Sequence, residues 1–95
     1  MNHFPKKLIL LGSGELGKEI FIAAKRIGCF VIACDKYAGA PAMQIADISE
    51  VLDMTNKEKL KSVILKYNPD IVIPEIEALS ISALEEIEKS GIEVI

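Results

Sequence analysis

The stretch Leu8-Ile9-Leu10-Leu11-Gly12-Ser13-Gly14-Glu15-Leu16-Gly17 decides the fold of this chain. Its first four residues form an unbroken apolar run, which predicts a strand buried on both faces of a sheet. They lead straight into Gly-x-Gly-x-x-Gly, and an amphipathic pattern follows at once. Strand, glycine turn and helix in that order open a nucleotide-type βαβ unit. Gly12 permits the tight turn, Gly14 lets backbone approach a ligand, and Gly17 lets helix and strand pack closely. The free amides of the first helical turn face whatever lies beyond the strand end, commonly an anion. The same motif serves dinucleotides, other phosphorylated ligands, or simply a tight joint between strand and helix.

Working outward, strand 1 covers Lys7–Leu11. A helix runs from Gly14 or Glu15 to Gly28, with Leu16, Ile20, Ala23, Ala24 and Ile27 at the spacing of one apolar face. Strand 2 is Phe30–Cys34, closed by Asp35. Gly39 and Pro41 mark a loop, and a short helical turn over Ala42–Ala46 precedes strand 3 at Glu50–Asp53. Thr55 and Glu58 have the form of a capping box. The helix they open turns Leu60, Val63, Ile64 and Tyr67 inward and Lys57, Lys59, Lys61 and Lys66 outward, and ends at Asn68-Pro69. Strand 4 is Asp70–Ile73; Pro74 has no amide to donate and is expected to stop the pairing. Ser82 and Glu85 form a second capping box, Gly91 ends that helix, and Glu93–Ile95 begins strand 5. The class is α/β: a Rossmann-like open parallel sheet, strand order 3-2-1-4-5, with helices on both faces and one domain over residues 1–95. A chain that stops on a bare apolar strand reads as a piece of a longer protein.

The 95 residues are 51% apolar, enough for a real core in a domain this small. A net charge of −3 and a pI near 5.1 carry no electrostatic footprint for nucleic acid. The apolar runs are too short to span a bilayer, and residues 1–7 lack the apolar core of a signal peptide, so a cytoplasmic location is expected. Cys29 and Cys34 fit neither a zinc pattern nor Cys-x-x-Cys and read as small buried hydrophobes. His3, the only histidine, lies in an N-terminus expected to fray, which leaves histidine-based catalysis little to stand on.

In open α/β sheets ligands bind beyond the carboxyl ends of the strands, where the strand order reverses. Here that crevice lies between strands 1 and 4, flanked by Gly12–Leu16 and Pro74–Glu77. One wall offers helix-terminal amides, suited to a phosphate or another acceptor. The other offers Glu75 and Glu77, suited to an amine or ribose hydroxyls; two residues apart, they share a face if the chain stays extended. Asp35, at the end of strand 2, stands where an NAD site holds the ribose hydroxyls, or else caps the next turn. Glu15 in the first helical turn would repel a pyrophosphate laid across those amides, which weighs against NAD.

Three blocks together resemble one family: Leu10-Leu11-Gly12-Ser13-Gly14-Glu15-Leu16-Gly17-Lys18-Glu19, Asp35-Lys36-Tyr37-Ala38-Gly39-Ala40-Pro41-Ala42-Met43-Gln44, and Ile73-Pro74-Glu75-Ile76-Glu77-Ala78. The chain from about Lys7 to Ile95 is similar, essentially without gaps, to the N-terminal, pre-ATP-grasp domain of formate-dependent phosphoribosylglycinamide formyltransferase. The last block favours this family over carboxyaminoimidazole ribonucleotide synthase and biotin carboxylase-type relatives. The resemblance implies a purine-biosynthesis enzyme in which formate and ATP give formyl phosphate, whose formyl group passes to the amine of 5-phosphoribosyl glycinamide. It implies that this domain holds part of the ribonucleotide, with Gly14, Glu15, Leu16 and Glu75 as contacts and no catalytic residue or metal ligand of its own. Asp35 becomes a structural residue ordering the Tyr37–Met43 loop. ATP and Mg²⁺ belong to an ATP-grasp portion that these residues lack, so the chain by itself is expected to be inert. Apolar surface left beside strand 5 or above the crevice would favour a homo-oligomer. Two rival readings are a free-standing NAD- or nucleotide-binding module, in which Asp35 is the critical acid, and a structural remnant that binds nothing.

Overall fold

The computed structural model describes residues 6–76 and 78–95, so the expectations on His3 and Glu77 fall outside the described residues. Nine elements follow in chain order: β1 (Lys7–Leu11), α1 (Glu15–Arg26), β2 (Phe30–Asp35), a 3₁₀ turn (Pro41–Gln44), β3 (Ile48–Val51), α2 (Lys57–Tyr67), β4 (Ile71–Pro74), α3 (Ile81–Lys89) and β5 (Glu93–Val94). The five strands form one sheet in the order β3-β2-β1-β4-β5, every pair parallel. This is the order expected from the sequence. Among the described residues no helix is long and apolar enough to cross a membrane.

Alternation along β1 divides the core between the two faces of the sheet. Ile9 and Leu11 join Ile32, Cys34, Leu60, Ile64, Val72 and Ile87 beneath α2 and α3. Leu8 and Leu10 join Phe21, Ala24, Val31, Ala33 and Met43 beneath α1 and the 3₁₀ turn. Each fully buried aliphatic side chain contributes about 1.5–3 kcal/mol. Both cysteines are buried free thiols, and burial pushes the Cys34 thiol up to about 12, with Glu50 and Asp35 adding to it. Cys34 therefore packs as an apolar residue.

Helix α1 departs from its expected orientation. Its buried residues are Gly17, Phe21 and Ala24, whereas Leu16 and Ile27, assigned to the inner face from spacing, are more than half exposed. The glycine turn decides this. A Cβ on Gly17 would lie 2.9 Å from the Gly12 carbonyl oxygen, so the side of the helix lacking a side chain must face the turn. Strand β3 sits two residues earlier than expected, at Ile48–Val51. Both capping boxes also shift. Asn56, not Thr55, caps α2 by accepting from the Lys59 amide, while Thr55 donates to Asp53. Ser80, not Ser82, caps α3 by accepting from the Ala83 amide. In each case an earlier or later polar neighbour reached the free amides with better geometry.

Pro74 does not end the pairing. It lies opposite Leu11, and the next amide, Glu75 N–H, donates to the Leu11 carbonyl at 2.9 Å. Strand alternation turns the proline nitrogen away from β1, so the β1–β4 pairing needs no donor from it.

The outward lysines of α2 are more than a solvated face. Lys57 and Lys61 both pair with Glu86 of α3, and Lys66 pairs with Glu50 of β3, which also accepts from the Tyr67 hydroxyl. Those two lysines hold the Glu86 carboxyl down at about 2, below its ordinary 4.5.

Two outcomes follow for stability. Gly17→Ala forces α1 off the turn and lowers the unfolding free energy in urea by about 1–3 kcal/mol. Because the folded Glu86 value is depressed, its small contribution is present above pH 4.5 and lost as pH falls toward 2. The melting temperatures of wild type and Glu86→Gln therefore converge as pH falls through that window, and lie apart above it.

Candidate functional site

The site begins with the turn after β1. Gly12 has φ +111°, a conformation that strains any residue with a Cβ. Space demands glycine as well: a Cβ there would sit 2.5 Å from Glu75 Oε2 and 2.6 Å from Ile76 Cγ2. The Gly12 amide donates to the Cys34 carbonyl at 2.9 Å. Ser13, which is completely buried, then uses every polar group it has. Its amide donates to Asp35 Oδ2 at 2.8 Å and its hydroxyl to the Cys34 carbonyl at 2.8 Å. Its carbonyl accepts from the Ala42 amide at 2.8 Å. Sequence reasoning passed over Ser13, because a serine between glycines carries no pattern of its own.

Asp35 is 6% exposed, and both its oxygens are taken by backbone amides, Oδ2 by Ser13 and Oδ1 by Lys36 at 2.7 Å. It thus braces the glycine turn against the end of β2. The Tyr37–Met43 loop, which it was expected to order, is held instead by the Ala42–Ser13 backbone bond and by Gln44, whose Nε2 donates to the Gly39 carbonyl at 2.8 Å.

Gly14 caps α1 with no side chain to fill the role, and a Cβ on it would meet nothing within 4 Å. That space is the edge of a cleft of about 580 Å³, lined by Gly14, Asp35, Lys36, Tyr37, Asp53, Met54, Thr55, Glu75, Ile76 and Ala78. All these residues follow the carboxyl ends of β1, β2, β3 and β4. The cleft is therefore wider than the crevice expected between β1 and β4 alone. Lys36, Tyr37, Asp53, Met54, Thr55 and Ala78 line the cleft beyond the crevice expected from the sequence. The signal was available, since each stands within four residues after a strand.

The four expected contacts divide into two pairs. Gly14 and Glu75 meet in the cleft. Glu15 and Leu16 lie on the exposed surface of the first turn of α1, with Leu16 60% exposed. Glu75 is fixed through its backbone, by the amide bond to Leu11. Its carboxyl is not: Oε2 is buried against Gly12 and Ile76 and has no hydrogen-bond partner among the described residues. Burial, reinforced by the charge of Asp35, raises the Glu75 carboxyl above its ordinary value. The arrangement is an acceptor awaiting a donor beside a turn of free amides. Among the described residues no three His, Cys, Asp or Glu gather as a metal site.

Comparison with known proteins gives the family of the domain. Residues 5–95 match the family model described as "Ribonucleotide synthetase preATP-grasp domain". The formate-dependent phosphoribosylglycinamide formyltransferase of Prochlorococcus marinus (strain MIT 9313) is 65% identical over 95 residues, which are all of this chain and 24% of that protein. The chain thus spans about a quarter of the length of this relative. Among solved structures, glycinamide-RNase-transformylase T from Mycobacterium tuberculosis superposes with a TM-score of 0.91 at 42% identity, over 94% of this chain and 28% of that one. N5-carboxyaminoimidazole ribonucleotide synthetase from Thermotoga maritima follows at 0.84 and 27%, over 94% and 24%. Sequence, fold and the glycine turn agree: the chain belongs to the ribonucleotide synthetase preATP-grasp domain family, in the form found in formate-dependent phosphoribosylglycinamide formyltransferases.

Proposed function

We propose that this domain holds part of 5-phosphoribosyl glycinamide within a longer enzyme that formylates its amine with formate and ATP. The observation that carries the reading is Glu75: a carboxyl with a buried, unpartnered oxygen against Gly12 at the strand-order switch point, lining the same cleft as the bare Gly14. A buried acceptor without a donor costs about 1–3 kcal/mol, and an amine or a ribose hydroxyl that pairs with this carboxyl group from the cleft offsets the cost. The backbone from Gly14 to Leu16 takes the phosphoribosyl part through the free amides at the start of α1. Glu15 and Leu16 border the ligand from the outer side, and Glu75 takes the amine or the ribose hydroxyls. The relatives' names point the same way, one a phosphoribosylglycinamide formyltransferase and the other a ribonucleotide synthetase.

ATP and Mg²⁺ belong, on this proposal, to the part of the longer relatives that the chain does not span. The domain alone then binds without reacting. The half-exposed Tyr37 and the exposed Leu16, Ile81 and Ile95 are surfaces for that remaining part or for a second copy. The NAD reading loses ground at Asp35, because both of its oxygens already accept backbone amides and the residue is 6% exposed.

NMR titration of the labelled domain, sensitive to millimolar affinity, tests the reading. The ribonucleotide is expected to shift the amides of Gly12–Leu16 and Glu75, whereas shifts confined to Gly12–Gly17 and Asp35 with NAD alone would overturn it. Glu75→Gln is expected to weaken the ribonucleotide by about 10- to 100-fold, the worth of a hydrogen bond to a charged group. The same variant is expected to melt higher than wild type without ligand. Since the folded value of Glu75 is raised, its charged form costs stability as pH climbs above 4.5, and below that the two melting temperatures meet. Gly14→Ala costs under about 1 kcal/mol of stability, since its Cβ enters open space, yet it loses ribonucleotide affinity by filling the approach.

A further inference from the structure

Two carboxyl groups of the cleft stand in opposite conditions. Asp35 is buried and held at both oxygens by the amides of Ser13 and Lys36, so it acts only as an acceptor and has no freedom to move. Glu75 is half-buried, with one oxygen lacking any partner. Neither carboxylate has a cation paired with it: among the described residues, all four ion pairs lie elsewhere, on Asp47, Glu50 and Glu86. The other charged or titratable groups lining the cleft are Lys36 and Tyr37, after β2, and Asp53, after β3. Asp53 is already engaged by the Thr55 amide and hydroxyl, and Glu15 stands outside, on the exposed first turn of α1. The charge that bears on Glu75 is that of Asp35.

Resting on the ribonucleotide reading above, we infer that Asp35 is a positioning and specificity-determining residue that never touches the ligand. It locks the Gly12–Ser13 peptide in place and sets in the same cleft as Glu75 a second, immobile negative charge, so that the cleft prefers a ligand carrying a protonated amine over the same ligand with that amine acylated. The preference follows from charge. A cation pairs with the Glu75 carboxyl group from the cleft and is drawn by both carboxylates, whereas a neutral formamide offers one hydrogen bond and leaves two like charges in one cleft. The domain would thereby hold the amino substrate and release its formylated product.

The test compares wild type with Asp35→Asn, whose amide oxygen still accepts from Ser13 but whose charge is gone. Two readouts are taken: the titration of the Glu75 carboxyl by ¹³C NMR without ligand, and the affinities for 5-phosphoribosyl glycinamide and its N-formyl derivative. In Asp35→Asn the Glu75 titration is expected to move back toward its ordinary value. The preference for the amine is expected to shrink about fivefold, the upper end for one partly screened charge. An unmoved Glu75 titration, with both affinities reduced equally, would make Asp35 a mere brace and overturn the inference. Wild type binding both forms equally overturns it while leaving the ribonucleotide reading intact, and wild type binding neither overturns both. If Asp35→Asn does not fold, calorimetry on wild type in buffers of different ionisation enthalpy decides. The amine must drive a proton off Glu75 on binding near the midpoint of its titration and the N-formyl derivative must not; equal proton exchange for the two overturns the inference.

Discussion

The hydrogen bond from the Ser13 amide to the Asp35 carboxylate is the constraint on which the rest depends. A chain leaving a strand buried on both faces must turn before its next helix, and each amide in that turn needs a partner in a place water does not reach. Ser13 is wholly buried there, and strand β2 supplies the partners through the Cys34 carbonyl and the Asp35 side chain. With the turn fixed, the Gly12 carbonyl lies where α1 has to pass, and Gly17 is the residue that lets it pass. With Gly12 fixed, Glu75 and Ile76 can close over its bare Cα. One braced turn thus sets the start of a helix, one wall of the cleft and the seat of the acid on the opposite wall.

The cleft gives up stability that an ordinary surface would keep. Gly14 leaves a helix start without a side-chain cap, although Asn56 and Ser80 show that the chain caps its other helices. Glu75 carries an unsatisfied oxygen, while Glu50 and Glu86, on the surface, are each met by a lysine. The departures from good local chemistry fall together at the carboxyl ends of β1 and β4. Such concentration is the physical mark of a site shaped for something other than its own stability.

Much of this was legible before any coordinates. Runs such as Leu8–Leu11 and Phe30–Cys34 are continuous because a parallel sheet is covered on both faces, and helix patterns between them leave few topologies open. The strand order, the roles of Gly12, Gly14 and Gly17, and the switch-point crevice follow from these. Helix α1 was turned wrongly because spacing weighs Leu16 and Ile27 by hydrophobicity, whereas its rotation is set by the close passage at Gly17. The caps slipped because Thr55 and Asn56, or Ser80 and Ser82, are near-equal candidates until the backbone is fixed. A missing donor at Pro74 weakens only the pairing on the side its nitrogen faces, and periodicity does not give that side.

The amino-acid sequence by itself determined the α/β class, the strand order and the family, since these rest on periodicity, glycine placement and residues in a fixed linear order. Tertiary structure alone decided that Asp35 spends both oxygens inside the protein, that Ser13 is the joint of the turn, and that Glu75 faces the cleft with one oxygen unmet. Those facts are about which hydrogen-bonding groups find partners. Partnership across 22 residues, from Ser13 to Asp35, or between adjacent strands from Glu75 to Leu11, is set by packing in three dimensions and leaves no periodic trace in the chain.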